Sequence, residues 1–186
     1  MSVFGFPQIS GTPMQVEEIP AGEAGTARTI ERMQQKACEG SMHPEVIALA
    51  RSIVSAVPNK DYKGECQACF DWVKKFVAYR QDPRLMELVQ HPYETLLVQG
   101  AGDCDDHSVA VLALCMALGH GAAFRTVKAD RERPSEYSHV YPMVGFRDAR
   151  NEPVWLGADT TTKGAYFGWQ PTRGVWEVKD WPIAGP

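Results

Sequence analysis

The chain has 186 residues, 44% hydrophobic and 23% charged, with a net charge of −4, which suits one domain with a sizeable core. The weak negative charge leaves no basic footprint for nucleic acid, and neither a membrane-length apolar run nor a signal-peptide pattern is present, so an intracellular setting without membrane contact is expected. Five cysteines cannot all pair internally, and free thiols are expected.

Residues 1–25 carry Gly5, Pro7, Gly11, Pro13, Pro20, Gly22 and Gly25 without hydrophobic periodicity. They are expected to form an extended or mobile arm, with a single domain over 26–186. From Thr26 the spacing turns helical. Ile30, Met33 and Ala37 mark one helix that Gly40 stops. Pro44 opens a second, with Val46, Leu49, Ala50, Ile53, Val54 and Val57 on its apolar side and Pro58 beyond its end. A third helix, from about Lys63 to Arg80, places Cys66, Cys69, Phe70, Val73, Phe76 and Val77 on a buried stripe. A short helical piece over Arg84 to Gln90 and a turn at His91-Pro92 lead to the segment Gly102-Asp103-Cys104-Asp105-Asp106-His107-Ser108, followed by the apolar run from Val109 to Leu118.

Asp103 is a good N-cap, and Asp106 three residues later is a carboxylate version of the capping box. Cys104 then occupies the first helical position, where free backbone N–H groups and the helix dipole favour a thiolate. Cys104, Ser108, Val111, Leu112 and Cys115 share the inward face. Gly100 and Gly102 allow a close approach of the chain and leave space for a substrate. The flanking acids oppose thiolate formation, so activation requires a histidine.

Beyond Gly119 the period changes. Strands are expected over Ala122 to Ala129, Tyr137 to Gly145 and Pro153 to Asp159, with two more at Tyr166 to Trp169 and Gly174 to Val178. Helices first and strands second predict an α+β fold with an antiparallel sheet. His43 and His91 precede prolines in turns, His120 follows Gly119, and His107 could face the site or solvent. His139 lies in a strand. If the strands of His139 and Asp159 are antiparallel neighbours joined through residues 147–151, pairing His139 with Asp159 places Tyr141 opposite Gly157 and Met143 opposite Trp155. A two-residue slip would preserve the facing. Pro142 must then sit at a bulge or a free edge. Cysteine, histidine and aspartate in this order suggest a thiol nucleophile, its base and the group that orients the base.

Three blocks, Gly102 to His107, Tyr137-Ser138-His139-Val140-Tyr141 and Leu156-Gly157-Ala158-Asp159-Thr160, resemble the transglutaminase-like superfamily, whose core is related to papain-like cysteine proteases. The likeness spans roughly Ala50 to Thr162. With its leader and its late Phe167-Gly168-Trp169, the whole chain looks most like the short members encoded by tailed phages and prophages. Here Ala158-Asp159-Thr160 replaces the usual Asp-Pro-Thr, so no proline stiffens the turn.

The resemblance implies that Cys104 attacks a carbonyl to form a thioester, with His139 as base and Asp159 as its orienter. A thiolate–imidazolium pair would bring the thiol pKa from about 8.5 down to roughly 3.5–7.5. The Cys104 N–H is one oxyanion donor, and Gln99, Tyr79 and Trp72 are candidates for the second. Water as acceptor gives a protease or amidase, and an amine gives transamidation. The implied partner is a peptide or protein substrate, and phage structural proteins could meet the N-terminal arm. The implied location is the host cytoplasm or the virion. A non-catalytic virion or assembly protein that keeps the fold is the rival role, with the arm and Trp169, Trp176 and Trp181 as docking surfaces.

No cofactor is expected. A metal could draw on Cys104, Asp106, His107, His139 and Asp159, and Cys66-Gln67-Ala68-Cys69 has zinc-type spacing. No second CxxC or matching histidine pair accompanies that motif, so no metal is expected either.

Overall fold

The computed structural model describes residues 22–81 and 88–184. The expected arm lies mostly outside them, as does most of the helical piece placed at Arg84 to Gln90. Three helices come first: α1 (Glu23–Ser41), α2 (Pro44–Ile53) and α3 (Tyr62–Phe76). The first begins three residues before the patterning suggested. Pro44 stands at the first turn of α2, and Asp61 caps α3 by accepting the Gly64 N–H. Ile30, Met33 and Ala37 are buried as their spacing requires, as are Cys66, Cys69, Phe70 and Val73. Phe76 departs from the stripe and is 53% exposed. The helix ends at this residue, and its ring lies against Trp72, 5.1 Å between centroids.

The chain then forms a small unit that local patterning did not foretell. Strand β1 (Ala78–Tyr79) pairs in parallel with β2 (Ala101–Gly102), and a short π-helix over Glu94–Gln99 lies between them in sequence. Gly100 turns the chain from that helix into β2 with φ 62°, a left-handed conformation that suits glycine. Helix α4 (Cys104–Ala117) follows at once. Residues 105–116 are all buried, so α4 is apolar around most of its circumference. It is the central element, packed by α1, α2 and α3 and by one face of the sheet.

The sheet is antiparallel, in the order β5-β4-β3-β6, from β3 (Gly121–Lys128), β4 (His139–Arg147), β5 (Pro153–Gly157) and β6 (Glu177–Ile183). Val140, Val144 and Phe146 join the helical core, while Tyr141 and Met143 form a smaller cluster on the opposite face with Ala123 and Val127. The α+β class expected from element order is therefore the observed one.

Three expectations about the strands need correction. Tyr166 to Trp169 is a turn, closed by the Trp169 N–H on the Tyr166 carbonyl. The last strand begins at Glu177 rather than Gly174. The β4–β5 register places Met143 opposite Gly157 and Gly145 opposite Trp155, the two-residue slip from the His139–Asp159 pairing. The hairpin sets it. Its five-residue loop 148–152 is held by Asp148 Oδ1, which accepts from the N–H groups of Arg150 and Glu152, and by Asn151 at φ 63°.

Pro142 sits where a free edge opens. Its carbonyl accepts the Ala158 N–H just past the end of β5. The reciprocal bond that a proline cannot donate would have been the last of that ladder.

Leu112 is fully buried at the centre of α4. Leu112→Ala is expected to cost about 2–5 kcal/mol, measured by urea unfolding. The substitution should leave the far-UV spectrum of the folded protein unchanged.

Candidate active site

The start of α4 is built as its sequence suggests. Asp103 Oδ1 accepts from the N–H groups of Asp105 (3.0 Å) and Asp106 (3.4 Å), and Asp106 Oδ2 accepts the Asp103 N–H. Both halves of the capping box are present, and Cys104 is the first helical residue. The Asp106 carboxylate is fully buried and takes two further donors, the Gln90 N–H (2.7 Å) and Gln90 Nε2 (2.6 Å). Burial pushes this carboxyl up to about 7, against the hydrogen bonds that favour its charge. The close approach at Gly102 is filled by this side chain rather than left open for a substrate. A Cβ on residue 102 would lie 2.4 Å from Asp106 Cβ.

His139 opens β4, and Asp159 lies two residues past the end of β5. His139 Nε2–H donates to Asp159 Oδ2 at 2.9 Å. The other carboxylate oxygen accepts from Thr161 N–H (2.9 Å), Thr161 Oγ1–H (2.9 Å) and Thr162 N–H (3.1 Å). Asp159 is 1% exposed. Burial alone would raise its carboxyl, but His139 and the threonine donors hold it well below the usual carboxylate range. It therefore accepts, an imidazole hydrogen resides on Nε2, and in the neutral ring the lone pair is on Nδ1. The ring of Tyr141 stacks beside His139 at 6.0 Å.

Cys104 comes to the same strand end, where the main chain of Val140, the neighbour of His139, favours the charged form of its sulfur. Its own hydrogen points elsewhere, to Asp105 Oδ1 at 3.5 Å. Among the described residues no hydrogen bond joins Cys104 to His139. Burial, and then the charges of Asp105 and Asp103, raise the thiol well above its ordinary range, and the Val140 main chain offsets only part of this. The lowered pKa expected of Cys104 is thus not the property of this resting arrangement. The thiol drawn below its ordinary range is Cys66, by its neighbours Cys115 and His120 and against its burial.

Of the oxyanion candidates, Tyr79 lies on β1 directly opposite Gly102, two residues from Cys104. Gln99 is exposed at the end of the π-helix, and Trp72 lies on α3 against Phe76.

His107 faces inward. It is 2% exposed, with Nδ1 2.9 Å from Thr160 Oγ1 and Nε2 3.5 Å from the Ala78 carbonyl. Sequence patterning could not orient it, because α4 is buried on every side. Gln90 and Thr160 to Thr162 were likewise missed. The only sequence signal for the threonines is their run of hydroxyl side chains after Asp159, and Gln90 has none.

Four of the five possible metal ligands around Cys104 pair with other groups of the protein. His139 and Asp159 bind each other, His107 binds Thr160, and Asp106 binds Gln90. His120, paired with Glu65 at 2.8 Å, joins Cys66, Cys115 and Cys69 in a line of contacts rather than around a point. Among the described residues, Asp103, Cys104 and Asp105 are the set whose donor atoms lie mutually close.

The family's sequence model, described as the transglutaminase-like superfamily, matches residues 47–171. The chain belongs to the transglutaminase-like superfamily. Solved structures share the fold. A candidate cysteine protease from Cytophaga hutchinsonii is 20% identical, with a TM-score of 0.50 over 83% of this chain and 46% of its own. This chain thus spans less than half of that protein. Calcium-bound LapG of Legionella pneumophila is 15% identical, with a TM-score of 0.51 over 83% of this chain and 81% of its own. The EGTA-treated form of LapG aligns with a TM-score of 0.50. Among curated proteins none matches the sequence.

The close set Asp103, Cys104 and Asp105 is poor in oxygen donors for a hard cation such as calcium. Calcium takes six to eight oxygens. Asp103 and Asp105 offer two carboxylates beside a soft thiol, and Asp106 is spent within the fold, so these residues by themselves do not fit that ion.

Asp105 both accepts the thiol hydrogen and raises the thiol pKa. Asp105→Asn is therefore expected to lower the Cys104 pKa by about one unit and to speed iodoacetamide labelling about tenfold below that pKa. Labelling resolved by mass spectrometry across pH 6–10 measures this. Cys66, fully buried, should stay unlabelled in the folded protein.

Proposed function

We propose that this chain is a thiol-dependent acyl-transfer enzyme that hydrolyses a peptide or amide bond through a thioester on Cys104. The observation that carries this reading is the His139–Asp159 pair. Its hydrogen bond occupies Nε2 and leaves Nδ1 as a base, at the strand end where Val140 meets the cysteine sulfur. Superfamily membership and the shared fold of a candidate cysteine protease support it.

In this mechanism His139 Nδ1 takes the thiol proton from Cys104 as the sulfur bonds to the carbonyl carbon. The Cys104 N–H and a second donor, with Tyr79 favoured over Gln99 and Trp72 by its place opposite Gly102, receive the negative oxygen. The C–N bond then breaks, and the leaving amine takes the proton from Nδ1. Water attacks the thioester and gives a proton to Nδ1, the C–S bond breaks, and the sulfur regains its hydrogen. Asp159 stays ionised throughout and stabilises each imidazolium. Because the resting thiol is neutral, His139 acts as a general base rather than as half of a preformed ion pair. An amine in place of water would turn the same residues to transamidation. The proposed setting, a phage or prophage with the protein in the host cytoplasm or the virion, rests on sequence likeness alone.

Cleavage of a diverse peptide library, followed by mass spectrometry, tests the reading. Cys104→Ala is expected to abolish turnover and His139→Ala to lower it about 10²–10⁴-fold, with circular dichroism unchanged. Asp159→Asn should lose less. Full cleavage by Cys104→Ala, or its failure to fold, would overturn the assignment.

A further inference from the structure

We propose that His107 is a positioning residue that ties the Asp159 turn to the helix carrying Cys104. The inference rests on the proposed function and concerns how the base and its orienter are kept in place relative to the nucleophile.

The Asx-type turn at Asp159 fixes its carboxylate against residues 160–162. That turn is local, and it does not say where those residues stand relative to α4. Strand β5 has ended at Gly157, and the last ladder contact is the Ala158 N–H on Pro142. The residue after Asp159 is Thr160, which leaves the backbone there free to turn. Farther along, the chain is tied by the Gly168 N–H on the Gly157 carbonyl and by Lys74 on the Ala165 carbonyl, and His107 adds the tie at Thr160, next to Asp159 itself.

The direction of its hydrogen bonds follows from chemistry. The Ala78 carbonyl can only accept, so the imidazole hydrogen is on Nε2. Nδ1 then holds a lone pair, and the Thr160 hydroxyl must donate to it at 2.9 Å. A neutral ring is what this exchange requires. Burial disfavours its charged form, partly offset by the Ala78 carbonyl and the charge of Asp159. His107 lies three residues after Cys104, within about one helical turn. The path from nucleophile to orienter thus runs along rigid helix to His107, across one bond to Thr160, and along one peptide to Asp159. On the other side, the Ala78 carbonyl belongs to β1, which pairs with β2 immediately before Cys104. His107 is held from both ends, so the turn it grips cannot drift with the loop.

The test compares variants that break the link with variants that keep it. Thr160→Val is isosteric and removes the donor, and Thr160→Ser retains it. His107→Leu removes both bonds, and His107→Gln retains one donor and one acceptor. The readout separate from catalysis is the low-field proton NMR resonance of His139 Nε2–H, assigned by its absence in His139→Ala. Thr160→Val and His107→Leu are expected to weaken or lose it and to lower kcat roughly 10²-fold, with a smaller change in KM. Thr160→Ser and His107→Gln should preserve both. If His107→Leu fails to fold, Thr160→Val carries the test.

A folded Thr160→Val protein with the wild-type resonance would overturn the inference, as would loss of rate in Thr160→Ser equal to that in Thr160→Val. A wild-type protein without peptide cleavage would overturn the proposed function instead, while the resonance would still decide the role of His107.

Discussion

The arrangement depends first on one buried carboxylate, that of Asp106. It closes the capping box from the third helical residue and takes both the main-chain and side-chain nitrogens of Gln90. Three segments therefore meet on one group: the chain before the π-helix, strand β2 and the first turn of α4. Position 102 has to lack a side chain for the carboxylate to fit, since a Cβ there would overlap the Asp106 side chain. The spacing Gly102-Asp103-x-x-Asp106 is thus a packing rule in its own right. Cys104 inherits its position from it. A nucleophile at a helix N-terminus held by a frayed cap would lose both its N–H donors and its direction.

The same acids set the state of the sulfur. A helix N-terminus favours a nearby anion by about 0.3–1 kcal/mol at an exposed site. Burial of the thiol and the charges of Asp105 and Asp103 act in the opposite direction, and they win. A protonated thiol is a poor nucleophile and a poor metal ligand. On the proposed mechanism the sulfur is held in reserve until a base takes its hydrogen, and the demand falls on His139. The proposed role of His139 needs Asp159 to keep its charge, which the threonine donors secure together with His139.

How far the sequence revealed this architecture depended on the range of the interactions. The cap, the first helical residue and the buried stripe of α3 are local, and spacing alone exposed them. Strand β6 was displaced because it is mostly exposed and carries Pro182, so it shows little alternation to detect. The pairing of β1 with β2 is two residues long and has no periodic signal. His107 was ambiguous for the opposite reason, because periodicity cannot distinguish a direction in a helix whose every side is buried. Its partner Thr160 lies 53 residues away, and nothing in the local pattern links the two. Cys66 and Cys69 matched a core stripe, but their neighbours Cys115 and His120 became apparent only when α3 met α4.

The strand register shows most clearly what alternation can and cannot specify. Side chains repeat every two residues, so a two-residue slip leaves His139 and Asp159 on one face. It does change their relation along the ladder. With Met143 opposite Gly157, Asp159 extends past the end of β5 and reaches His139 diagonally from a turn. A carboxylate within a strand would take its orientation from the ladder on either side. One in a turn must take it from side-chain and turn bonds, which is why Thr161 and Thr162 crowd its second oxygen. The slip thus preserves the chemical pairing and transfers control of its geometry to the three threonines after Asp159. The structure compensates for a strand that stops short by fastening the turn beyond it.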